Sequence, residues 1–201
     1  MADSRFVRHV KVWFFFVPLV AVAIMPVVPN RSLFEIPEAE TRSVVATIGE
    51  DRADQAVATT NRLFRRYFVD TGVVAASLET TRGSYADDGG MTNLASTWVH
   101  NFWRLVYRVF YRLTIMKLWL FGTLAFCVAT FVDGTVRRKI RAAAAGYVSP
   151  VSFHLAGHGI LLVFGAAFTV LIAPIPLLAP YWIAIAGCLG VLLWKAASSY
   201  Q

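Results

Sequence analysis

Twenty consecutive residues, Leu113–Val132, carry a single ionised side chain, Lys117. A helix crossing about 30 Å of hydrocarbon needs roughly 20 apolar residues, so this run predicts a membrane span. Three further apolar runs accompany it: Val12–Val28, Ile160–Ala173 and Trp182–Trp194. Composition agrees: 57% of residues are hydrophobic and 15% charged, against roughly 45–50% and about 25% in soluble domains. An ordinary cytosolic globule is excluded.

Val12–Val28 is close to the short limit for a span and contains Pro18 and Pro26, which bend a helix but are tolerated where neighbours satisfy the freed carbonyls. From Ile160 to Trp194 the apolar stretch is too long for one helix, and Pro174, Pro176 and Pro180 fall at its middle. A helical hairpin is predicted, with limbs 158–176 and 178–195 and its turn around Ala179-Pro180. Trp182 lies beside its turn, and Trp194 and Lys195 lie at the far end as interfacial anchors. The sequence therefore predicts an all-α membrane protein with four spans, at 12–29, 113–132, 158–176 and 178–195. A mainly helical segment, 30–112, separates the first two.

The formal charge of +7 suggests nucleic acid in a soluble protein, but here the placement of charge decides. Residues 30–112 hold ten basic and ten acidic side chains and are neutral. The surplus sits in Arg5, Arg8 and Lys11 before the first span and in Arg137, Arg138, Lys139 and Arg141 after the second. Four spans put residues 1–11, 133–157 and 196–201 on one side. By the positive-inside bias that side is cytoplasmic, with both termini inside and 30–112 exported to the periplasm. No direct nucleic-acid contact is expected. A rival reading of the N-terminus is a cleaved signal peptide, with Ala21-Val22-Ala23 as its small-residue site. The apolar run continues past that site, which favours an uncleaved anchor.

In the exported segment, Glu38–Phe68 has acidic first turns and Arg62, Arg65 and Arg66 near its end, and predicts one amphipathic helix. Val73–Leu78 predicts a short second helix, and Thr80–Gly90 a loop. In Thr97–Leu113, His100, Arg104, Arg108 and Arg112 recur every fourth residue among aromatic side chains. The preferred reading is a helix lying in the outer interface, with Arg104, Arg108, Arg112, Trp98 and Trp103 as its interfacial groups. The other readings are docking on Glu50, Asp51 or Asp54, and a nucleic-acid track.

No residue is expected to be catalytic, no cofactor is expected, and the chain does not read as an enzyme. His154 and His158, spaced i, i+4, are two ligands where a metal site needs at least a third, and they lack the glutamate of a His-Glu-x-x-His protease. They read as polar groups at a helix start. Lys117 is placed to snorkel outward. Cys127 and Cys188 both lie inside apolar runs, so they act as small hydrophobes, with a facing pair across two helices as the other reading. Ala125 and Ala129, Ala186 and Gly190, and Gly165-Ala166-Ala167 suit close helix contact, with a second copy or another membrane protein.

The stretch Phe131-Val-Asp-Gly-Thr-Val-Arg-Arg-Lys-Ile-Arg141, then Gly146-Tyr-Val-Ser-Pro150 and Phe153-His-Leu-Ala156, resembles the hallmark region of an integrating conjugative element membrane protein family. The plan of a short anchor, an exported segment and three later spans is similar throughout. Where relatives carry a basic residue after His-x-Ala, this chain has Gly157 and then His158. The resemblance implies a bacterial inner-membrane component of, or accessory to, a type IV secretion system for DNA transfer. Such proteins are commonly encoded beside the TraD-type coupling ATPase, which is thereby the implied partner. In this reading Asp133-Gly134 ends the second span, and Arg137, Arg138, Lys139 and Arg141 dock an acidic partner or anionic lipid. The alternative is a stand-alone membrane protein, such as a transporter subunit or a lipid-binding sensor. A transporter, however, needs paired intramembrane polar groups and internal repeats, and the sequence offers neither.

Overall fold

The computed structural model describes residues 5–81, 90–144, 146 and 150–200. The side chains of Arg5 and Phe6, residues 82–89 of the predicted loop, and Tyr147, Val148 and Ser149 of the predicted turn lie outside the described residues. Among the described residues every regular element is helical. Four helices are long and apolar enough to cross a membrane: Val7–Val27, Met91–Ala143, Pro150–Ile172 and Ala179–Ser199. The fold class is all-α membrane protein.

The first apolar stretch is not one regular helix. It runs through α1 (Arg5–Lys11), a π-helical turn (Val12–Phe16), α2 (Val17–Ile24) and a 3₁₀ turn (Met25–Val27). Pro18 has no amide proton and its ring crowds the carbonyl four residues back, so the chain widens into a π turn just before it. Pro26 then tightens the end.

The predicted single helix Glu38–Phe68 is divided at Gly49 into α3 (Glu38–Ile48) and α4 (Glu50–Phe64), with a further π turn over Arg65–Val69. Gly49 has φ 84° and ψ 160°, a backbone region open essentially to glycine alone. Gly49→Ala is therefore expected to cost on the order of 1–3 kcal/mol, read as a lowered midpoint in thermal unfolding of the detergent-solubilised protein. An unchanged midpoint would contradict this account of the break. Gly72, also left-handed at φ 75°, leads into α5 (Val73–Thr80).

The largest departure from expectation is α6, a continuous helix from Met91 to Ala143. Asp133-Gly134 does not end it. The helix carries on for more than two turns because Thr135–Arg141 has no proline and Ile140 and the arginines are competent helix formers. α7 spans Pro150–Ile172, opening on a proline, where the missing amide costs nothing. α8 spans Ala179–Ser199, so the turn between α7 and α8 covers 173–178 with Pro174 and Pro176, and Ala179-Pro180, expected at the turn, open α8 instead, since a proline in the first turn of a helix forfeits no hydrogen bond.

The chain forms two compact units. One comprises Val17–Met116 with Val170–Ala179. Its core is Phe34, Leu105 and Ile172, with Ala21, Val22, Met25, Leu33 and Val109 around them. α4 and its π turn meet α6 through aromatic edges: Phe64 lies 5.4 Å from Tyr107, and Phe68 lies 5.3 Å from both Trp103 and Phe110. The other unit comprises Met1–Phe16, Lys117–Thr169 and Pro180–Gln201. Here small residues let helices approach closely. A Cβ added at Gly165 would stand 3.0 Å from that of Trp13, and one at Gly159 would stand 2.8 Å from Leu192 Cδ2. Leu118, Phe121, Leu124, Val128 and Val132 of α6 are exposed, as lipid-facing side chains are.

Candidate functional site

In the first unit the α6 arginines are not an interfacial stripe. A four-residue period on a helix of 3.6 residues per turn rotates by about 40° per step, so the row winds from the surface into the interior. His100 is exposed and Arg104 is partly so, while Arg108 and Arg112 are each 1% exposed. This corrects the expectation that Arg108 and Arg112 face the outer interface. Glu50, Asp51 and Asp54 are exposed, and the acidic partner is instead Glu40, also 1% exposed.

Arg112 and Glu40 form a bidentate pair, with Nε donating to Oε1 at 2.8 Å and Nη2 to Oε2 at 2.7 Å. Planar fork meets planar carboxylate, the geometry in which arginine exceeds lysine. The rest of the guanidinium serves the backbone of the last turn of α7 and the residues that follow it. Nη1 donates to the carbonyls of Val170 at 2.9 Å, Leu171 at 3.1 Å and Ala173 at 2.8 Å, and Nη2 donates to that of Ile175. These oxygens lie at the end of a helix, where carbonyls lack intrahelical partners, and Pro174 and Pro176 have no amides to offer. A cation there also complements the helix dipole.

Arg108 donates to Leu33 O at 2.6 Å and to Ile175 O at 2.8 Å, and its Nη2 stands 3.8 Å from Glu40 Oε2. The excess positive charge of two arginines on one carboxylate is thus solvated by peptide oxygens. Glu40 in return accepts from Leu177 N at 3.0 Å, and Ser43 Oγ accepts from Ala179 N, the first amide of α8, at 3.0 Å. One turn of α3 therefore holds the polar backbone of the 170–179 connection, and α6 holds it from the other side.

Trp98 and Trp103 spend their indole protons inside the same unit. Trp98 Nε1 donates to Ala23 O at 3.0 Å and Trp103 Nε1 to Ser77 Oγ at 2.9 Å. Asn101 Nδ2 donates to Val28 O at 2.9 Å. Trp98 and Asn101 thus tie the end of the first apolar stretch to α6, and Trp103 ties α5 to it. Arg104 approaches Glu35 at 3.9 Å, beside an apolar recess of about 420 Å³ walled by Phe34, Phe64, Trp103 and Tyr107.

In the second unit the Asp133-Gly134 pair is a helix–helix contact. Asp133 Oδ2 accepts from Trp194 Nε1 at 2.6 Å, and Gly134 is buried where a Cβ would stand 2.6 Å from Trp194 O. Arg137 stacks over the Trp194 ring at 5.0 Å and Arg138 over Tyr200 at 5.4 Å. Lys139 is exposed and Arg141 half-buried. His158 lies against His9 with ring centroids 5.9 Å apart, and His154 against Phe153 at 5.7 Å. Among the described residues no third His, Cys, Asp or Glu joins either histidine to form a metal-binding group. Lys117 and Cys188 are exposed, and Cys127 and Cys188 are both free thiols.

Sequence reasoning singled out the arginines but missed Glu40 and Ser43. The signal available was the pairing of a basic row with an acidic first turn elsewhere in the same segment. Periodicity alone does not match two helices 72 residues apart.

Four helices long and apolar enough to span a membrane, a charge-neutral helical segment clamped through buried arginines, and a basic helix end define a multi-pass membrane protein. Over residues 28–201 the sequence matches the family model described as IncC plasmid conjugative DNA transfer protein DtrJ-like, and the chain belongs to that family. Its role therefore lies in conjugative DNA transfer, in accord with the resemblance carried by Phe131–Arg141 and the motifs that follow it. No curated protein and no solved structure matches the chain.

Proposed function

We propose that the chain is an inner-membrane scaffold of the type IV secretion apparatus for DNA transfer, with both termini in the cytoplasm and residues 30–112 exported. It is no enzyme in this reading, and it uses no cofactor. Its task is to hold a partner, the TraD-type coupling ATPase or another membrane subunit of the system, through its spans and its basic helix end. The observation that carries the reading is a one-sided charge. After Asp88 the sequence has one carboxylate side chain, Asp133, and Trp194 occupies it. Arg137, Arg138, Lys139 and Arg141 are left without an acidic counterpart in their own half of the chain, as suits an acidic face on a partner.

The test is crosslinking of the tagged protein in donor cells, solubilisation in mild detergent and identification of what co-purifies. The coupling ATPase or a secretion-channel subunit is the expected companion, and Arg137→Glu with Lys139→Glu should insert normally while losing it. Recovery of only the protein itself and lipid overturns the scaffold reading.

A further inference from the structure

At the basic end of the second unit, α6, α7 and α8 leave a cleft of about 440 Å³. Its walls are two-faced. Phe131, Phe153 and Ala197 make one part apolar, while Arg138 and Tyr200 bring a cation and a phenol to the other. Phe131 and Arg138 are seven residues apart on one helix, so apolar and cationic ends are separated by about 10 Å.

We propose that this cleft binds one anionic phospholipid of the surrounding membrane, its phosphate on Arg138 and an acyl chain along Phe131 and Phe153. Three observations select that occupant. Arg138 is half-buried and lies over the Tyr200 ring, 5.4 Å from its centre, a contact that among the described residues leaves the guanidinium edge free to donate. The nearest carboxylate in sequence, Asp133, is engaged by Trp194. Phe131 is the penultimate residue of the apolar run Leu113–Val132, so the apolar part of the cleft stands level with acyl chains and the arginine level with headgroups. Free phosphate would use the cation and leave the apolar wall bare. An acidic protein surface would find Arg137 and Lys139, which are exposed, more readily than a side chain set into a cleft. Thr135 adds no donor, because its hydroxyl is spent on Phe131 O at 2.9 Å. The inference rests on the membrane-spanning fold and not on the transfer role.

The test uses the purified full chain in detergent, without any partner. It is titrated with phosphatidylglycerol, phosphatidylcholine or inorganic phosphate, and bound lipid is counted by native mass spectrometry alongside the thermal midpoint. Phosphatidylglycerol is expected to be retained at one per chain and to raise the midpoint, and the other two to do neither. Arg138→Gln should weaken its binding about fivefold, the worth of one basic group near a lipid surface. Lys139→Gln, outside the cleft, should weaken it less. Ala197→Phe, which fills the apolar part, should abolish retention; if that variant does not fold, Arg138→Gln alone decides. Equal retention of phosphatidylcholine, equal stabilisation by inorganic phosphate, or indifference to Arg138→Gln each overturns the proposal. So does a result in which Arg138→Gln spares lipid binding but loses protein capture from donor cells, which would assign the cleft to an acidic protein instead.

Discussion

Arg112→Ala is expected to destabilise the protein by about 3–5 kcal/mol, the loss that follows when one member of a buried ion pair is removed and the other is left uncompensated. Marginally stable domains have only about 5–15 kcal/mol in hand, so little folded protein should survive extraction into detergent. Two sets of groups lose their partner together: the Glu40 carboxylate, and the carbonyls of Val170, Leu171, Ala173 and Ile175. Arg112→Lys should rescue little, because a compact ammonium cannot match the bidentate carboxylate and reach the helix-end oxygens at once. Glu40→Gln keeps shape but leaves two buried guanidinium groups without a counter-charge, so its loss should approach that of Arg112→Ala. Arg108→Ala should cost less, since Glu40 keeps its bidentate partner. Glu40→Gln combined with Arg112→Gln should lose less than the sum of the two single changes, as residues in one network do. The measurement is thermal unfolding in detergent, with amide exchange at residues 170–179 as the local readout. An Arg112→Ala protein that unfolds at the wild-type midpoint, with exchange unchanged there, would refute the clamp.

How far the sequence foretold this depends on the range of the interaction concerned. Spans were legible because a long, nearly uncharged apolar run has a single stable environment, and a break between the last two was legible because Pro174 and Pro176 deny amides to any helix passing through them. The π turn before Pro18 and the break at Gly49 are local too, yet they depend on which of two tolerated backbone responses the surroundings select, and a lone glycine or proline does not say. Glu40 with Arg112 is the opposite case. Each residue has an adequate local explanation, the glutamate as a favourable charge in the first turn of α3 and the arginine as one step of an amphipathic row. Only the packing of α3, α6 and the 170–179 connection discloses that they belong to each other. Asp133-Gly134 misled for a related reason. In water, an acid followed by glycine at the end of an apolar run reads as a stop. Between membrane helices the same pair supplies a hydrogen-bond acceptor and a place for close approach.

That reinterpretation makes Gly134→Ala the second change with a large expected effect. The added Cβ would stand 2.6 Å from Trp194 O and 2.9 Å from Ala197 Cβ. The first of these is backbone, so a rotamer change cannot relieve the clash and α6 and α8 must separate. Overpacking of this kind costs typically about 1–3 kcal/mol. Separation also draws Trp194 away from Asp133 and from Arg137, whose contacts are 2.6 Å and 5.0 Å. A lowered thermal midpoint should therefore come with a change in tryptophan fluorescence, and Asp133→Asn should reproduce part of the fluorescence change without the steric loss. Gly122→Ala and Gly157→Ala are the internal controls, since among the described residues nothing lies within 4 Å of a Cβ at either position, and both should leave midpoint and fluorescence nearly unchanged. Equal effects at all three positions would mean that any helical glycine in this chain is sensitive, and would return Asp133-Gly134 to the status of a boundary mark. A loss confined to Gly134 instead ties the Val-Asp-Gly-Thr-Val-Arg-Arg stretch to one physical task. The carboxylate and the glycine set the distance between α6 and α8, and that distance brings Arg137 onto Trp194 and Arg138 onto Tyr200.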